Sequence, residues 1–281
     1  MISTFSALAC PLDGSALQRT DHTWRCGAGH SFDVAAQGYI NLLPVQHKRS
    51  RDPGDSKEMI LARQRFLEAG HYLPIAQAVS RAVLGAASPV DNFSCLDAGC
   101  GEGYYLRQLI AAAGQSSALT ATLGVDISKW AVMAAAKRDK TTTWLVGTNA
   151  KLPILSESVD LVLCMFGFPV YPEFARVLKP AGRLLQVDAG PDHLRELREI
   201  IYPSLRPERT EELPPPPGFL PHASQQVRYS LALSGKETIA DLLVMTPHFY
   251  RASSEGRRRA AALDTLTVTV DAVITPFTLT G

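Results

Sequence analysis

Between residues 93 and 187, short apolar runs alternate with segments of helical periodicity. The run Val159–Met165 is almost continuously apolar, which is typical of a strand buried on both faces of a sheet. The same pattern predicts further strands at 93–97, 122–126, 142–146 and 183–187. It predicts helices at 104–113, 129–137 and 173–178. Strands that alternate with helices predict an α/β fold with an open, doubly wound parallel sheet, whose ligands bind at the carboxyl ends of the strands.

The C-terminal region has a different pattern. Leu213–Gly218 contains four consecutive prolines, and proline fits neither a helix interior nor a central strand because it lacks the donor N–H. Beyond this stiff loop, 226–232 alternates apolar and polar residues, 237–245 has helical spacing, and 266–278 is rich in Val, Ile and Thr. We expect a strand, a helix and a strand that complete the same sheet, with the proline-rich loop over its open edge.

Composition excludes several classes of protein. The 281 residues carry 28 Lys and Arg against 27 Asp and Glu, a formal net charge of +1, so binding to nucleic acid through bulk charge is excluded, although a local basic patch is not. No run of 18 apolar residues predicts a transmembrane helix, and the N-terminus has neither the positive nor the long apolar region of a signal peptide. The five cysteines, an odd number, suit a reducing cytoplasm better than a disulfide framework.

The strongest local motif is a glycine-rich loop between a predicted strand and the helix after it. Asp97 ends the strand, and Gly99, Gly101 and Gly103 follow at alternate positions. Glycine allows the turn and the close approach of a ligand, and the helix N-terminus is expected to offer free N–H groups. A second acid, Asp126, ends the next strand, where a carboxylate can accept both hydroxyls of a ribose. The loop therefore predicts a nucleoside site.

The spacing of the glycines separates two cofactor classes. A dinucleotide site favours G-x-G-x-x-G, whereas this loop reads G-x-G-x-G with Asp97 before it and Glu102 inside it. Two acids would repel a pyrophosphate, but they suit S-adenosylmethionine, which is cationic and carries an amino acid. The pattern resembles motif I of the Rossmann-like (class I) methyltransferases, whose companion motifs follow here as Asp126–Ile127 for the ribose, Asn149 near the adenine and Arg176–Gly182 before a strand. A dehydrogenase and a fold without a ligand are the alternatives.

The N-terminal segment contains a candidate metal site. Cys10, Cys26 and His30 have the residue types and spacing of a structural zinc site, which takes four ligands. The fourth position holds Asp13, whose carboxylate is less favoured beside thiolates. Three interpretations stay open: a zinc site that includes Asp13, a zinc site with another fourth ligand such as His22 or water, and a packed remnant without zinc.

Two sequence blocks indicate a narrower family. Gly38–Ser56 reads Gly-Tyr-Ile-Asn-Leu-Leu-Pro-Val-Gln-His-Lys-Arg-Ser-Arg-Asp-Pro-Gly-Asp-Ser, and Arg65–Tyr72 reads Arg-Phe-Leu-Glu-Ala-Gly-His-Tyr. With the preceding Cys-Pro-x-x … Cys-x-x-x-His-Ser-Phe-Asp pattern, they resemble the RlmA family of 23S rRNA guanine-N1 methyltransferases. The resemblance runs from about residue 8 to 255.

This resemblance implies a zinc-ribbon-like domain that helps to recognise an rRNA hairpin, joined to a methyltransferase domain that uses S-adenosylmethionine. The chain then divides into a zinc-type module at 1–40, a basic linker at 41–70 and a methyltransferase domain at 71–281. Related family members confer resistance to macrolide-type antibiotics by methylating a nearby guanine. A homodimer is a further expectation from the family.

Four residues match positions that contact the cofactor in the family: Tyr72, Gly101, Glu102 and His193. A packed aromatic cap is the alternative role for Tyr72, and a helix-start residue is the alternative for His193. The sequence departs from the family pattern at Asp13, where the family has Cys, and in the segment Met165–Val170. Since that segment should face the methyl acceptor, the departure bears on the identity of the target nucleotide.

RNA contact is expected on the segment 47–65. It carries six basic and three acidic residues, a net of +3: Lys48, Arg49, Arg51, Lys57, Arg63 and Arg65 against Asp52, Asp55 and Glu58. Such a patch gives salt-dependent binding to a nucleic-acid backbone. A solvated, charged loop is the alternative interpretation.

Methyl transfer to guanine N1 also needs a binding surface for the base and an acceptor for its proton. Phe166 and Phe168 could stack on an extruded base or simply pack in the core. Asp188, at the end of a predicted strand, is the best-placed acid, and the catalytic base is left unassigned. The alternatives to an rRNA methyltransferase are a small-molecule methyltransferase on the same scaffold, a resistance variant with a shifted rRNA target, and a non-catalytic RNA-binding protein.

Overall fold

The computed structural model describes residues 2–47, 50, 52–85, 93–114, 119–205 and 214–280. The N-terminal part contains a small antiparallel sheet of three short strands: β1 Gln18–Thr20, β2 Thr23–Arg25 and β3 Ser31–Asp33. The central strand β2 pairs with both neighbours. Of the residues in these strands only Trp24 is buried, so the small sheet has almost no hydrophobic core of its own.

The described residues beyond this module build a nine-stranded sheet. Its strands are β4 Tyr39–Asn41, β5 Phe93–Ala98, β6 Leu119–Asp126, β7 Thr143–Val146, β8 Val159–Met165, β9 Leu178–Ala189, β10 Phe219–Pro221, β11 Gln225–Ser234 and β12 Thr265–Leu279. The spatial order is β10-β12-β9-β8-β5-β6-β7-β4, with β11 also paired to β12. Strands β4 to β9 pair in parallel, whereas β12 runs antiparallel to β9, β10 and β11.

Nine α-helices lie within the described residues: α1 Lys57–Glu68, α2 Leu73–Gly85, α3 Tyr104–Ala113, α4 Lys129–Arg138, α5 Tyr171–Val177, α6 Arg195–Ile201, α7 Lys236–Val244, α8 His248–Arg251 and α9 Ser254–Ala261. Side-chain caps fix three of their starts, since Ser56 caps α1, Ser128 caps α4 and Ser253 caps α9. Among the helices of this described part, none has the length and apolar character needed to cross a membrane.

The sheet is covered by two hydrophobic clusters of different origin. One cluster contains residues of α1 to α4, α6, α7 and α9 packed on the strands. The other joins α5 to residues of the N-terminal module, among them Leu8, Leu17 and Trp24, which pack with strand residues such as Leu96 and Leu123. The module therefore buries its few apolar side chains against the large sheet.

The predicted α/β fold is confirmed, and the C-terminal strand, helix and strand do join the same sheet. Two local predictions differ from the structure. Helix α5 begins at Tyr171, two residues early, because Pro172 is accommodated in the first turn, where its missing N–H costs nothing. The end of the motif Arg176–Gly182, which we placed before a strand, already belongs to β9, in which Ala181 has a left-handed φ of 59°.

The N-terminal module is tied to the large sheet by its backbone. β4 pairs with β7, with Tyr39 opposite Trp144 and Asn41 opposite Val146. Strand β4 thus spans residue 40, where we placed the end of the module, and α1 lies inside the segment 41–70. The division at residues 40 and 70 stays a prediction.

Candidate functional site

The glycine-rich loop lies between β5 and α3, at the carboxyl edge of the sheet. Gly99, Gly101 and Gly103 all have left-handed φ values, of 90°, 54° and 79°, which favour glycine. A Cβ on Gly103 would lie 2.5 Å from the Trp144 ring, whereas one on Gly99 would meet only the Asn149 amide, at 3.7 Å. The third glycine is therefore required by packing, and the first faces open space next to Asn149.

The backbone amides of this loop are already used within the protein. Gly99 and Cys100 both donate to the carbonyl of Val125, at 2.8 and 3.0 Å. Gly101 donates to Oδ2 of Asp126 at 2.9 Å, and Gly103 donates to the carbonyl of Cys100 at 2.9 Å. These four amides are therefore not free to bind a ligand. The expectation of free N–H groups concerned the first turn of α3, which begins at Tyr104, and it stays a prediction.

Asp97 is a buried carboxyl group without a partner. Its side chain is 1% exposed, and Oδ1 has no hydrogen-bond partner among the described residues. Burial, together with the negative charge of Asp126, raises the pKa of Asp97 to about 7. A buried, unpaired carboxylate is costly and is stabilised by a cation. Asp97 therefore suits the ammonium group of an amino acid.

Asp126 and Glu102 have partners inside the protein. Besides Gly101, Asp126 accepts from the backbone N–H of Ser128 at 2.8 Å, and burial raises its pKa. Ile127 follows directly after this carboxylate. Glu102 is 1% exposed at its side chain and accepts from Nη2 of Arg107 at 2.9 Å. Burial raises the pKa of Glu102, and Arg107 offsets part of this effect.

The structure brings Tyr72 and His193 together, although 121 positions separate them. The Tyr72 hydroxyl lies 3.2 Å from Nε2 of His193, and Nδ1 of His193 accepts from the backbone N–H of Asp271 at 3.2 Å. Nε2 therefore carries the hydrogen of the neutral ring and donates it to Tyr72, which leaves the Tyr72 O–H free to donate. Burial lowers the pKa of His193 to about 4, so the ring stays neutral at pH 7.

The two phenylalanines after β8 have different environments. Phe166 stacks on His193 with ring centroids 5.7 Å apart and lies 6.4 Å from Tyr105. Its φ of 51° is unusual for a residue with a side chain. Phe168 is 87% exposed. Phe166 is thus part of an aromatic wall beside Tyr72, while Phe168 is available to a partner.

Asp188 lies near the end of β9 at the same edge of the sheet. The Gln186 amide donates to it at 2.7 Å. Burial by neighbouring groups raises its pKa, although the side chain reaches solvent.

Part of the expected RNA-binding segment has other contacts. Arg63 binds the carboxylate of Asp55 and donates to the carbonyl of Met245 at 3.0 Å. Arg65 binds Asp241 through two nitrogens. Lys57 lies 6.0 Å from the Trp130 ring. The side chains of His47, Lys48, Arg49 and Arg51 lie outside the described residues.

Arg63 and Tyr105 are site residues that the sequence reasoning missed. Arg63 lies beside the glycine loop, because its Nη1 is 3.5 Å from the position a Cβ would take on Gly101. Tyr105 joins the aromatic wall through Phe166. Tyr105 follows the glycine loop at the start of the predicted helix 104–113, so the sequence could have indicated it. No sequence signal connects Arg63 with a loop 38 positions away.

The four predicted metal ligands converge. One donor atom each from Cys10, Asp13, Cys26 and His30 lies within 4.8 Å of the others. Nδ1 of His30 is 3.5 Å from Sγ of Cys10, 3.3 Å from Sγ of Cys26 and 3.1 Å from Oδ2 of Asp13. Two hydrogen bonds from Ser15 hold Oδ1 of Asp13, which leaves Oδ2 for the cluster. His22 is not part of the cluster found among the described residues. The donor set fits a four-coordinate zinc ion.

The segment that carries Asn149 also contacts the module with the metal cluster. Ala9 donates to the carbonyl of Pro153, Leu155 donates to the carbonyl of Ala7, and Lys151 donates to the carbonyl of Pro11 at 3.2 Å. The segment 147–155 therefore carries Asn149 at one end and contacts the module at the other.

Known proteins resemble this chain over most of its length. A zinc-ribbon family model described as "RlmA, N-terminal" matches residues 8–51, and one described as "Methyltransferase domain" matches 96–188. The putative 23S rRNA (guanine-N(1)-)-methyltransferase YxjB of Bacillus subtilis is 32% identical over 275 residues, 95% of each chain. A putative 23S rRNA (guanine-N(1)-)-methyltransferase of Micromonospora griseorubida is 37% identical over 207 residues, 68% of each chain. The 23S rRNA (guanine(748)-N(1))-methyltransferase of Streptomyces fradiae is 32% identical, with 69% of this chain and 67% of that one covered.

Proposed function

This chain belongs to the RlmA family of 23S rRNA guanine-N1 methyltransferases, and from that premise we propose that it methylates N1 of a guanine in a 23S rRNA hairpin with S-adenosylmethionine. One structural observation carries the proposal. The carboxyl edge of the sheet combines an open glycine loop with the unpaired, buried carboxyl group of Asp97. A cationic amino-acid cofactor satisfies this arrangement, and a pyrophosphate does not.

The cofactor site consists of residues from five segments. In the proposed complex Asp97 takes the ammonium group, Asp126 takes the ribose hydroxyls, and Asn149 lies near the adenine. The remaining contacts come from Tyr72, Gly99, Gly101, Glu102, Gly103, Ile127 and His193. Glu102 acts through its loop position, because its carboxylate is held by Arg107.

The protein's own groups position the acceptor and receive its proton. The cofactor, when bound, supplies an electrophilic methyl group on a sulfonium sulfur. The aromatic wall and the exposed ring of Phe168 offer stacking surfaces for an extruded guanine. As the new C–N bond forms and the C–S bond breaks, the N1 proton must leave, and Asp188 is the carboxylate at this edge that could accept it.

We propose that Cys10, Asp13, Cys26 and His30 bind a structural zinc ion in the module at 1–40. The support is the convergence of their four donor atoms. The ion would hold the three short strands, which have almost no core of their own.

RNA binding by the segment 47–65 and a homodimeric state belong to the same proposal. Because Arg65 is engaged by Asp241 and Arg63 lies beside the glycine loop, the contact would depend on Lys57. It would also depend on Lys48, Arg49 and Arg51, whose side chains lie outside the described residues. We place the enzyme in the cytoplasm, where its rRNA substrate is made.

One experiment tests the proposed reaction. Labelled S-adenosylmethionine is incubated with the protein and with rRNA from a strain that lacks the enzyme, and the modified nucleotide is mapped by mass spectrometry. Label on N1 of one hairpin guanine is the expected result. Cofactor binding without label in RNA would remove the rRNA proposal and leave a methyltransferase that acts on a small molecule.

A further inference from the structure

The amino-acid tail of the proposed cofactor carries a carboxylate as well as an ammonium group. Asp97 accounts for the ammonium group, but the carboxylate needs a cation or several N–H donors in a partly buried site. The amides of Gly99, Cys100, Gly101 and Gly103 all donate within the protein. These four amides are therefore not available to the carboxylate, and a basic side chain beside the loop would pair with it.

Arg63 is in the right place. It projects from α1, and its Nη1 is the atom nearest to the position that a Cβ would occupy on Gly101, at 3.5 Å. It thus borders the space that opens in front of this glycine. Its known acceptors, Asp55 and the carbonyl of Met245, leave part of its five N–H donors for a ligand.

Two other arginines close to the loop, Arg107 and Arg138, lie beside the carboxylate of Glu102. Arg107 donates to both the carbonyl and the carboxylate of Glu102. Arg138 lies beside Glu68 and 4.0 Å from the same Glu102 carboxylate. Arg63 is therefore the arginine that remains for the open side of the loop.

The positive charge of Arg63 stabilises the ionised forms of nearby carboxyl groups. The charge of Arg63 lowers the pKa values of Asp126 and Glu102, partly offsetting the increase caused by burial. Without this guanidinium, a ligand carboxylate would lie near Asp55 and Asp126, and of the nearby acids only Glu102 would keep an arginine partner, Arg107.

We propose that Arg63 binds the carboxylate of the cofactor's amino-acid tail, across the loop from Asp97. The inference rests on the proposed use of S-adenosylmethionine. It makes α1, which overlaps the segment 47–65 that we expected to contact RNA, part of the cofactor site. Arg63 and Asp97 together would then distinguish adenosyl amino acids from adenosyl thioethers without the amino acid.

The test compares two ligands by isothermal titration calorimetry. S-adenosylhomocysteine carries the amino-acid tail, and 5′-methylthioadenosine lacks it. For Arg63→Gln we expect the Kd of S-adenosylhomocysteine to rise roughly 10- to 100-fold, the range of a charge-assisted hydrogen bond. The Kd of 5′-methylthioadenosine should change less than about threefold. Arg65→Gln is the matched control, with the same loss of charge on the same helix but away from the loop, and should leave both ligands unaffected.

Each other outcome has a defined meaning. Equal weakening of both ligands by Arg63→Gln, or no weakening of either, overturns the inference, because the arginine would then be structural or irrelevant. If this variant does not fold, Arg63→Lys keeps the charge without the planar fork, and it should weaken only S-adenosylhomocysteine. A wild-type protein that binds neither ligand overturns the proposed cofactor instead, and this inference with it.

Discussion

The glycine loop and the metal cluster are built in opposite ways. Backbone hydrogen bonds join the loop to the end of β6, the fully buried strand β5 leads into it, and Trp144 fills the space behind Gly103. The metal cluster is held by side chains at the edge of a sheet in which only Trp24 is buried. The loop should therefore keep its shape without its ligand, and the module should not.

The two regions share one property. Each concentrates groups that can bind a positive partner: the unpaired carboxyl of Asp97 in the loop, and two thiols with the Asp13 carboxylate in the module. In one the cofactor would supply the positive charge, and in the other the metal. We therefore expect the size of the surrounding hydrophobic core, and not the ligand site alone, to determine whether a region keeps its structure without its ligand.

Metal removal should have the largest effect and should be confined to the module. A chelator should abolish hydrogen-exchange protection in β1 to β3 and leave β5 and β6 protected, because structural zinc supplies much of the folding free energy of small modules. Mass spectrometry of exchanged peptides checks this, with zinc content measured in parallel. Protein purified without added zinc that contains no metal, yet keeps β1 to β3 protected, would contradict the comparison.

Glycine substitutions test the backbone-built region. Gly103→Ala should lower the free energy of unfolding by about 2–4 kcal/mol, since it combines a left-handed φ with a Cβ 2.5 Å from Trp144. Gly99→Ala is the matched control and should cost only about 1–2 kcal/mol, because its Cβ would meet open space. Urea unfolding measures both. Equal losses would show that packing behind the loop is unimportant.

Asp97→Asn tests the charge in the loop. We expect S-adenosylhomocysteine to bind about 10- to 100-fold more weakly, since the ammonium group loses its carboxylate. Titration calorimetry measures the affinity, and an unchanged Kd would remove Asp97 from the site. The metal content should stay the same, because the module does not contact this side chain.

The pH dependence sharpens the same test. The pKa of Asp97 rises from 3.8 to about 7 in the folded chain, so between pH 4 and 7 the folded state holds a proton that the unfolded state has released. Stability of the ligand-free protein should therefore fall as pH rises through this window, by at most roughly 1.4 kcal/mol per pH unit. Asp97→Asn should remove this part of the slope in thermal unfolding, and identical slopes would contradict it.

Asp13→Cys should have the smallest effect. It introduces a third thiolate, the residue that the resemblance led us to expect at this position, and should tighten zinc binding about tenfold, or roughly 1.4 kcal/mol. Competition with a chromogenic chelator measures the change. Weaker zinc binding would show that the module is shaped for a carboxylate, which Ser15 holds in place.

The sequence was a good guide wherever a pattern was local. The apolar run Val159–Met165 is a strand with the same ends as predicted, and helix α3 spans 104–113 as its spacing indicated. Spacing also identified the four side chains of the metal cluster, because paired ligands lie close in sequence.

The sequence was a poor guide where charge and contact are long-range. Lys, Arg, Asp and Glu in 47–65 look like one basic patch, but α1 turns Arg63 toward the glycine loop and Arg65 toward Asp241. The sequence also did not show that the amides of Gly99 and Cys100 already donate within the protein, since their acceptor is a carbonyl on the neighbouring strand.

The sequence by itself determined the order of most strands and helices, the glycine loop and the candidate metal ligands, because each is a local pattern of residue types. It left the fourth metal ligand open, and the structure brought Asp13 to the other three. Only the tertiary structure decided which charges are paired and which stay open. Asp97 is unpaired because the strands around it exclude other donors, and Arg63 reaches Gly101 because α1 packs across that edge of the sheet. The burial of a side chain and its charge partners depend on segments that are distant in sequence, and only folding brings those segments together.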